Sequence, residues 1–254
     1  MTLRAGTALA ALLVALTGCA VGPAGEELGG ASSPLPAPAA PATAAAPVRA
    51  GATSDGRLAL VATLRGVTRI HAAAAGPVRQ VQDDMTDEGT RQRLLVLEDE
   101  GDWLRVALPG RPNGRTGWIR AGSVDLAATD WRMEVSLGQR TLTVLRGGLV
   151  YGTHAVAVGA GATPTPEGMF FVTDLLAPPD PAGPYGPYAF GISAYSDVVT
   201  SFGKGGRGQI GLHGTNDPAS IGRPVSNGCL RLDNNTIRTL AEQLPLGTPF
   251  QVRA

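Results

Sequence analysis

With 254 residues, 43% of them hydrophobic, the chain is long enough to build one or two globular domains. Its 21 basic and 21 acidic side chains cancel, and no basic block breaks the balance, which excludes a nucleic-acid partner on electrostatic grounds. The two cysteines, Cys19 and Cys229, lie in such different surroundings that no disulfide between them is expected.

The chain opens with Arg4 followed by the apolar run AGTALAALLVALTGC. That run is shorter than the roughly 20 residues a bilayer span needs. A charged start, an apolar middle and small residues before a break describe an export signal. Its end, Leu16-Thr17-Gly18-Cys19, resembles a bacterial lipobox. The resemblance implies cleavage after residue 18, acylation of Cys19 and attachment to a membrane through the lipid. Residues 19–57 are mostly Ala, Pro, Gly, Ser and Thr, so they have too little apolar surface to offset the entropy of ordering. They read as an extended tether holding the downstream domains off the membrane.

Residues 58–127 change character. RLALVATL is strand-like, RQRLLVLEDEGDWLRVALP gives two β-rich runs around the turn EDEGD, and GRTGWIRAGSVDL comes after the turn GRPNG. Short strands at this spacing predict a small all-β barrel. DWLRVALPG and GRTGWIRAGSVDL resemble bacterial Src-homology-3-like domains. Trp103 and Trp118 fit either a ligand face or the core of such a barrel. His71 has no acidic or cysteine companion and reads as structural.

Residues 130–254 begin with alternating apolar and polar positions, WRMEVSLGQRTLTVLRGGLVYGTHAVAVG, which predict antiparallel strands turning at LGQ and RGG. A Pro-rich turn, TPTPEG, leads into another strand. Asp233 or Asn234 is placed to cap one short helix with Ile237, Leu240, Ala241 and Leu244 on its apolar face, and LGTPFQVRA closes the chain as a strand. The fold class expected is therefore mostly β, a small barrel followed by a second β domain with one short helix near the C-terminus.

The chemistry concentrates in LHGTNDPASIGRPVSNGCLRL, where His213 precedes Cys229 across a run rich in Gly, Asn, Ser and Pro. A thiol attacks carbonyls as the thiolate and needs a base or a lowered pKa, which a histidine within reach supplies. The N–H groups of Asn227, Gly228 and Cys229 are candidates for an oxyanion site, and Arg231 for holding a carboxylate. On these residues alone an inert buried cysteine beside a surface histidine stays open. A zinc site lacks further Cys or His ligands nearby, with His154 reading as a strand residue, and a redox cysteine lacks a resolving partner.

The same stretch closely resembles the signature of the L,D-transpeptidase (YkuD-like) family, a His-Gly, a spacer, and Ser-X-Gly-Cys-X-Arg, here His213-Gly214 and Ser226-Asn227-Gly228-Cys229-Leu230-Arg231. ATPTPEGMFFVTD, YGPYAFGISAYS and LAEQLPLGTPFQV resemble further elements of that family in the same order, so the likeness covers about 120 residues. Asn227 stands where many members carry histidine. The resemblance implies a β-sandwich catalytic domain and cysteine acyl transfer on peptidoglycan stem peptides. Cys229 is then the nucleophile, His213 the base, and the Gly214 carbonyl the group that orients the imidazole. It implies that Arg231, Ser226, Asn216 and Tyr188, with Tyr185, contact substrate and that no metal or other cofactor is needed; with the lipobox, a monomer acting in the cell envelope is expected. A carboxypeptidase, a D-amino-acid exchange enzyme using the same thioester, and a non-catalytic wall-binding module are the competing functions.

Overall fold

The structure, a computed structural model, describes residues 57–201 and 207–254. The expected export signal, Cys19 and all of the expected tether but its last residue lie outside the described residues. Among those described, no helix is long and apolar enough to cross a membrane.

Seven strands form the first sheet: β1 (Ala59–Leu64), β2 (Thr68–His71), β3 (Val78–Gln82), β4 (Arg93–Asp99), β5 (Trp103–Ala107), β6 (Thr116–Arg120) and β7 (Val124–Thr129). Their order is β3-β2-β6-β5-β4-β1-β7, with every pairing antiparallel. The turn EDEGD does join β4 to β5, and the Gly101 N–H donates to Asp99 Oδ1 at 2.8 Å to close it. Leu60, Leu64, Ile70, Leu94, Leu104 and Ile119 are fully buried in its core, where their transfer from water is the main stabilising term. Trp103 belongs to the buried set, edge-on to His71 with ring centroids 4.8 Å apart. His71 Nδ1 also bonds the Gly76 carbonyl at 2.7 Å. Both residues are packing groups, as the lack of a companion for His71 suggested.

Ten further strands complete the β structure: β8 (Trp131–Ser136), β9 (Thr141–Arg146), β10 (Leu149–Ala155), β11 (Val158–Gly159), β12 (Gly168–Leu176), β13 (Ala189–Tyr195), β14 (Gln209–His213), β15 (Pro224–Ser226), β16 (Leu230–Arg231) and β17 (Pro249–Arg253). Eight of them form one sheet in the order β10-β9-β8-β17-β12-β13-β14-β16, and β11 pairs with β15 in a small second one. The meander β8-β9-β10 is antiparallel as the alternation predicted. The pairings β8 with β17 and β14 with β16 are parallel, which alternation within a strand cannot reveal.

Strand β12 belongs to two halves of this sheet. Its start pairs with β17, its end with β13, and the register slips between Val172 and Asp174. An extra residue at that point bends a strand, so the sheet folds over one core. Met133 and Val144 from one half meet Phe190, Ile192 and Leu212 from the other.

The one α-helix among the described residues, α1 (Asn234–Gln243), covers that core with Ile237, Leu240 and Ala241. Asp233 caps it, with Oδ1 accepting from the N–H of Asn235 at 3.0 Å and of Thr236 at 2.9 Å. Replacing Asp233 with alanine leaves two N–H groups without their cap and is expected to cost about 1 kcal/mol, read as a shift of the urea midpoint with activity retained.

Alternation along β12 also couples the two cores. Phe170 enters the core of the eight-stranded sheet and Phe171, fully buried, enters that of the seven-stranded one. Contacts accordingly place all the described residues in one compact unit. Truncating Phe171 to alanine leaves a cavity worth about 3–5 kcal/mol. Both sheets are expected to lose stability together, in a single unfolding transition at lower denaturant. A loss confined to one sheet would contradict the coupling.

Candidate active site

Parallel pairing of β14 with β16 sets Leu212 beside Leu230 and His213 beside Arg231. Residues two apart on a strand share a face, so His213 and Arg231 project on the same side as Gly211 and Cys229. The Gly211 N–H donates to Cys229 Sγ at 3.4 Å. A methyl group on Gly211 would lie 3.6 Å from His213 Cδ2 and 3.9 Å from Cys229 Sγ. Imidazole and thiol thus stand against the same glycine, within ordinary contact of the position a Cβ would take. All three residues open onto a cavity of about 620 Å³ that Tyr185, Tyr195, Arg207 and Gln209 help to wall.

His213 is 4% exposed, and its Nδ1 lies 2.6 Å from the Gly214 carbonyl oxygen. A carbonyl can only accept, so Nδ1 carries the proton and Nε2 is left as the basic atom. Gly214 is itself fixed, its N–H donating to the Tyr188 carbonyl at 3.2 Å. Asn234 at the start of α1 accepts from the Thr215 N–H at 2.8 Å. Tyr185 packs edge-on against the imidazole with centroids 5.0 Å apart. Burial, aided by the positive charge of Arg231 and opposed by the Gly214 bond, lowers the His213 pKa to about 4. Burial raises the Cys229 thiol above its ordinary value, opposed by the Gly211 N–H and by Arg231. The resting pair at neutral pH is therefore a thiol and a neutral imidazole.

The loop that presents Cys229 is braced by the Pro-rich motif far upstream. Thr163 Oγ1 donates to the Ser226 carbonyl at 3.0 Å and Thr165 Oγ1 to the Gly228 carbonyl at 2.8 Å. Gly228 has φ +113°, a backbone region that side chains rarely enter. Ser226 closes the loop from inside. Its hydroxyl donates to the Cys229 carbonyl at 2.5 Å and accepts the Gly228 N–H at 3.1 Å.

These contacts sort the residues singled out from sequence. His213, Gly214 and Cys229 are brought together as expected. Ser226, expected at the substrate, is 2% exposed and spends its hydroxyl within the loop. The Gly228 N–H, expected to face an oxyanion, is engaged by that hydroxyl. Tyr188 packs against the core and Asn216 is exposed, neither walling the cavity. Tyr185 is the tyrosine at the site. Arg231 stands beside His213 rather than in the cavity wall, and its buried Nε has no hydrogen-bond partner among the described residues. Sequence reasoning missed Gly211, whose signal was its place two residues before the histidine. It also missed Tyr195, although that residue lies in the family-like element YGPYAFGISAYS, and Arg207 and Gln209, which carry no local signal of a site.

Residues 130–252, which supply every one of the catalytic candidates, match the family model for the L,D-transpeptidase catalytic domain. YkuD of Bacillus subtilis strain 168, a protein whose name assigns it provisionally to the L,D-transpeptidases, is 35% identical over 143 residues, 56% of this chain and 71% of its own. Among solved structures, an L,D-transpeptidase from Mycobacterium smegmatis aligns with TM-score 0.41 and 15% identity over 74% of this chain and 99% of its own. Bd1075 of Bdellovibrio bacteriovorus aligns with TM-score 0.39 and 27% identity over 49% of this chain, which spans 48% of that one. Given the extent of the match to YkuD, together with that to the family model, the chain belongs to the YkuD family of L,D-transpeptidase catalytic domains.

Proposed function

We propose that the protein is a peptidoglycan L,D-transpeptidase working outside the cytoplasm, with Cys229 as nucleophile and His213 as general acid and base. The observation that carries this reading is the pair of contacts at Gly211 and Gly214. One carbonyl fixes the imidazole with Nε2 bare, and thiol and imidazole both stand against the same glycine on the cavity floor.

In the first half-reaction Cys229 Sγ attacks the carbonyl carbon between the third stem residue and the terminal D-Ala, and its proton passes to His213 Nε2. The tetrahedral oxyanion is met by the N–H groups of Asn227 and Cys229, the Gly228 N–H being engaged by Ser226. Collapse breaks the C–N bond, the proton moves from Nε2 to the departing amine, and a thioester remains. In the second half a side-chain amine of a neighbouring stem attacks the thioester. It loses a proton to Nε2 and releases the thiol, leaving a cross-link between third-position residues. Arg231, a charged side chain set beside His213, attracts a carboxylate of the stem. Lying beside the cavity, it does so from the rim.

The first sheet is, in this reading, a Src-homology-3-like small barrel that supports the catalytic domain. Cys19 carries the lipid that holds both near the wall, and the protein acts as a monomer. The test is to incubate the chain with a disaccharide-tetrapeptide carrying diaminopimelate and follow protein and products by mass spectrometry. A thioester on Cys229, released D-Ala and a cross-linked dimer are expected. Tripeptide alone would make the enzyme a carboxypeptidase. Absence of any adduct with binding retained would overturn the catalytic reading.

A further inference from the structure

The catalytic cavity is not completed by the catalytic sheet alone. Asp87 and Glu88, from the connection between β3 and β4 of the first sheet, also wall it, and Asp87 forms an ion pair with Arg207. A second reach across comes from the connection between β5 and β6, closed at its base by the Leu108 N–H donating to the Arg115 carbonyl at 2.9 Å.

Arg111 in this connection spreads its guanidinium over three carbonyls of the catalytic domain. Nε and Nη2 donate to Ser196 O at 2.9 and 2.7 Å, Nη2 also to Val199 O at 2.9 Å, and Nη1 to Arg207 O at 2.7 Å. The first two carbonyls follow the end of β13 and the third precedes β14. One side chain therefore ties the exit of one strand to the entry of the next, a task suited to the fixed fork of five donors. Two residues on, Asn113 behaves like a strand partner of Tyr195. Its Nδ2 donates to Tyr195 O at 2.7 Å, and its Oδ1 accepts from the Tyr195 N–H at 2.8 Å. Gly208 has φ +74°, and any Cβ there would run into Val199 O and lie 2.5 Å from Arg111 Nη2. The guanidinium is thus packed onto a bare glycine.

The backbone held in this way carries Tyr195, Arg207 and Gln209, three residues of the catalytic cavity wall. Arg111 is itself exposed, so its bonds compete with water and add little to global stability. Their effect is on geometry. We propose that Arg111, assisted by Asn113, is a positioning residue for the transfer reaction, holding the wall of Tyr195, Arg207 and Gln209 where the stem peptide lies. The inference rests on the acyl-transfer reading above.

The test compares Arg111→Ala, Arg111→Lys and Asn113→Ala with the unaltered full chain. For Arg111→Ala, KM for the disaccharide-tetrapeptide is expected to rise about tenfold with kcat within about threefold, because misplaced binding groups cost affinity while the thiol and imidazole are untouched. Arg111→Lys regains part of the loss, since one ammonium cannot bridge three carbonyls. Amide exchange at 195–199 accelerates in the same variants. KM within twofold of the unaltered chain in both alanine variants would overturn the proposal, as would a loss that follows the melting temperature alone. Should Arg111→Ala fail to fold, Asn113→Ala carries the same readouts. If the unaltered chain releases no D-Ala, the transpeptidase reading fails separately. Exchange at 195–199 then still decides whether Arg111 holds this wall, unchanged exchange meaning that it does not.

Discussion

Replacing Cys229 with alanine is expected to abolish release of D-Ala while leaving the urea unfolding midpoint almost unchanged. The thiol's one hydrogen bond, from the Gly211 N–H at 3.4 Å, is a long contact to a weak sulfur acceptor, so little stability leaves with it. The backbone of the loop is held by other groups. Thr163, Thr165 and Ser226 bond the carbonyls of Ser226, Gly228 and Cys229 without using the Cys229 side chain. Activity is a different matter. Without sulfur there is no thioester, and the oxyanion N–H groups and cavity can only assist attack by water. The expected loss is about four orders of magnitude or more in kcat/KM, the scale seen when a nucleophile is removed from a cooperating set. Cys229→Ser is expected to fall nearly as far, because a neutral imidazole of low basicity cannot activate a hydroxyl. The check is D-Ala release beside urea unfolding of the same preparations. Retained turnover in a folded Cys229→Ala chain would remove this residue from the mechanism.

How much of this site was legible before the fold was known depended on whether the cause was local. The α1 cap and its apolar face were readable because capping and a 3.6-residue period act within one segment. Asp233 and the row Ile237, Leu240 and Ala241 behave as those rules require. His213, Gly214 and Cys229 were readable through the order of residues in one short run and its family resemblance. The tyrosines were not, since Tyr185 and Tyr188 stand three apart in a Gly- and Pro-rich stretch without a regular period. Packing alone turns Tyr185 toward His213 and Tyr188 into the core. Ser226 shows the limit of a motif, which identifies a residue without saying which way its hydroxyl points. The parallel pairing of β14 with β16, which makes Gly211 the floor between thiol and imidazole, joins segments 18 residues apart. The bridge from Arg111 to Ser196 spans 85. No window of sequence contains such relations.

The second large effect concerns protons. His213 Nε2 is the base, yet burial holds this imidazole neutral down to about pH 4, and burial also raises the Cys229 thiol. A preformed thiolate–imidazolium pair is therefore not the resting state near neutrality. The rate of Cys229 alkylation by iodoacetamide is expected to keep climbing as pH rises through 7 and 8, where an ion pair would give a plateau from mildly acidic pH upward. A plateau between pH 5 and 7, on the order of what paired cysteines with strongly depressed pKa show, would sink this reading. The proton transfer that does occur belongs to the transition state, so His213→Gln should lower kcat by about 10²–10⁴-fold.

The same burial makes a stability claim whose sign is set by linkage. The folded pKa, about 4, lies below the ordinary 6.5, so between these values the unfolded chain binds the proton that the folded chain refuses. Stability from this group is full above about pH 6.5, declines as pH falls toward 4, and changes no further below that. The gap corresponds to roughly 3 kcal/mol. Other carboxylates and histidines titrate over the same range, so the informative quantity is a difference. Urea unfolding at pH 7 and pH 4 should show the unaltered chain losing about 3 kcal/mol more than His213→Gln, because glutamine has no proton to gain. Equal losses in the two chains would mean that His213 is not held neutral by its surroundings. The Nδ1–H bond to Gly214 would then no longer account for a bare Nε2 at working pH.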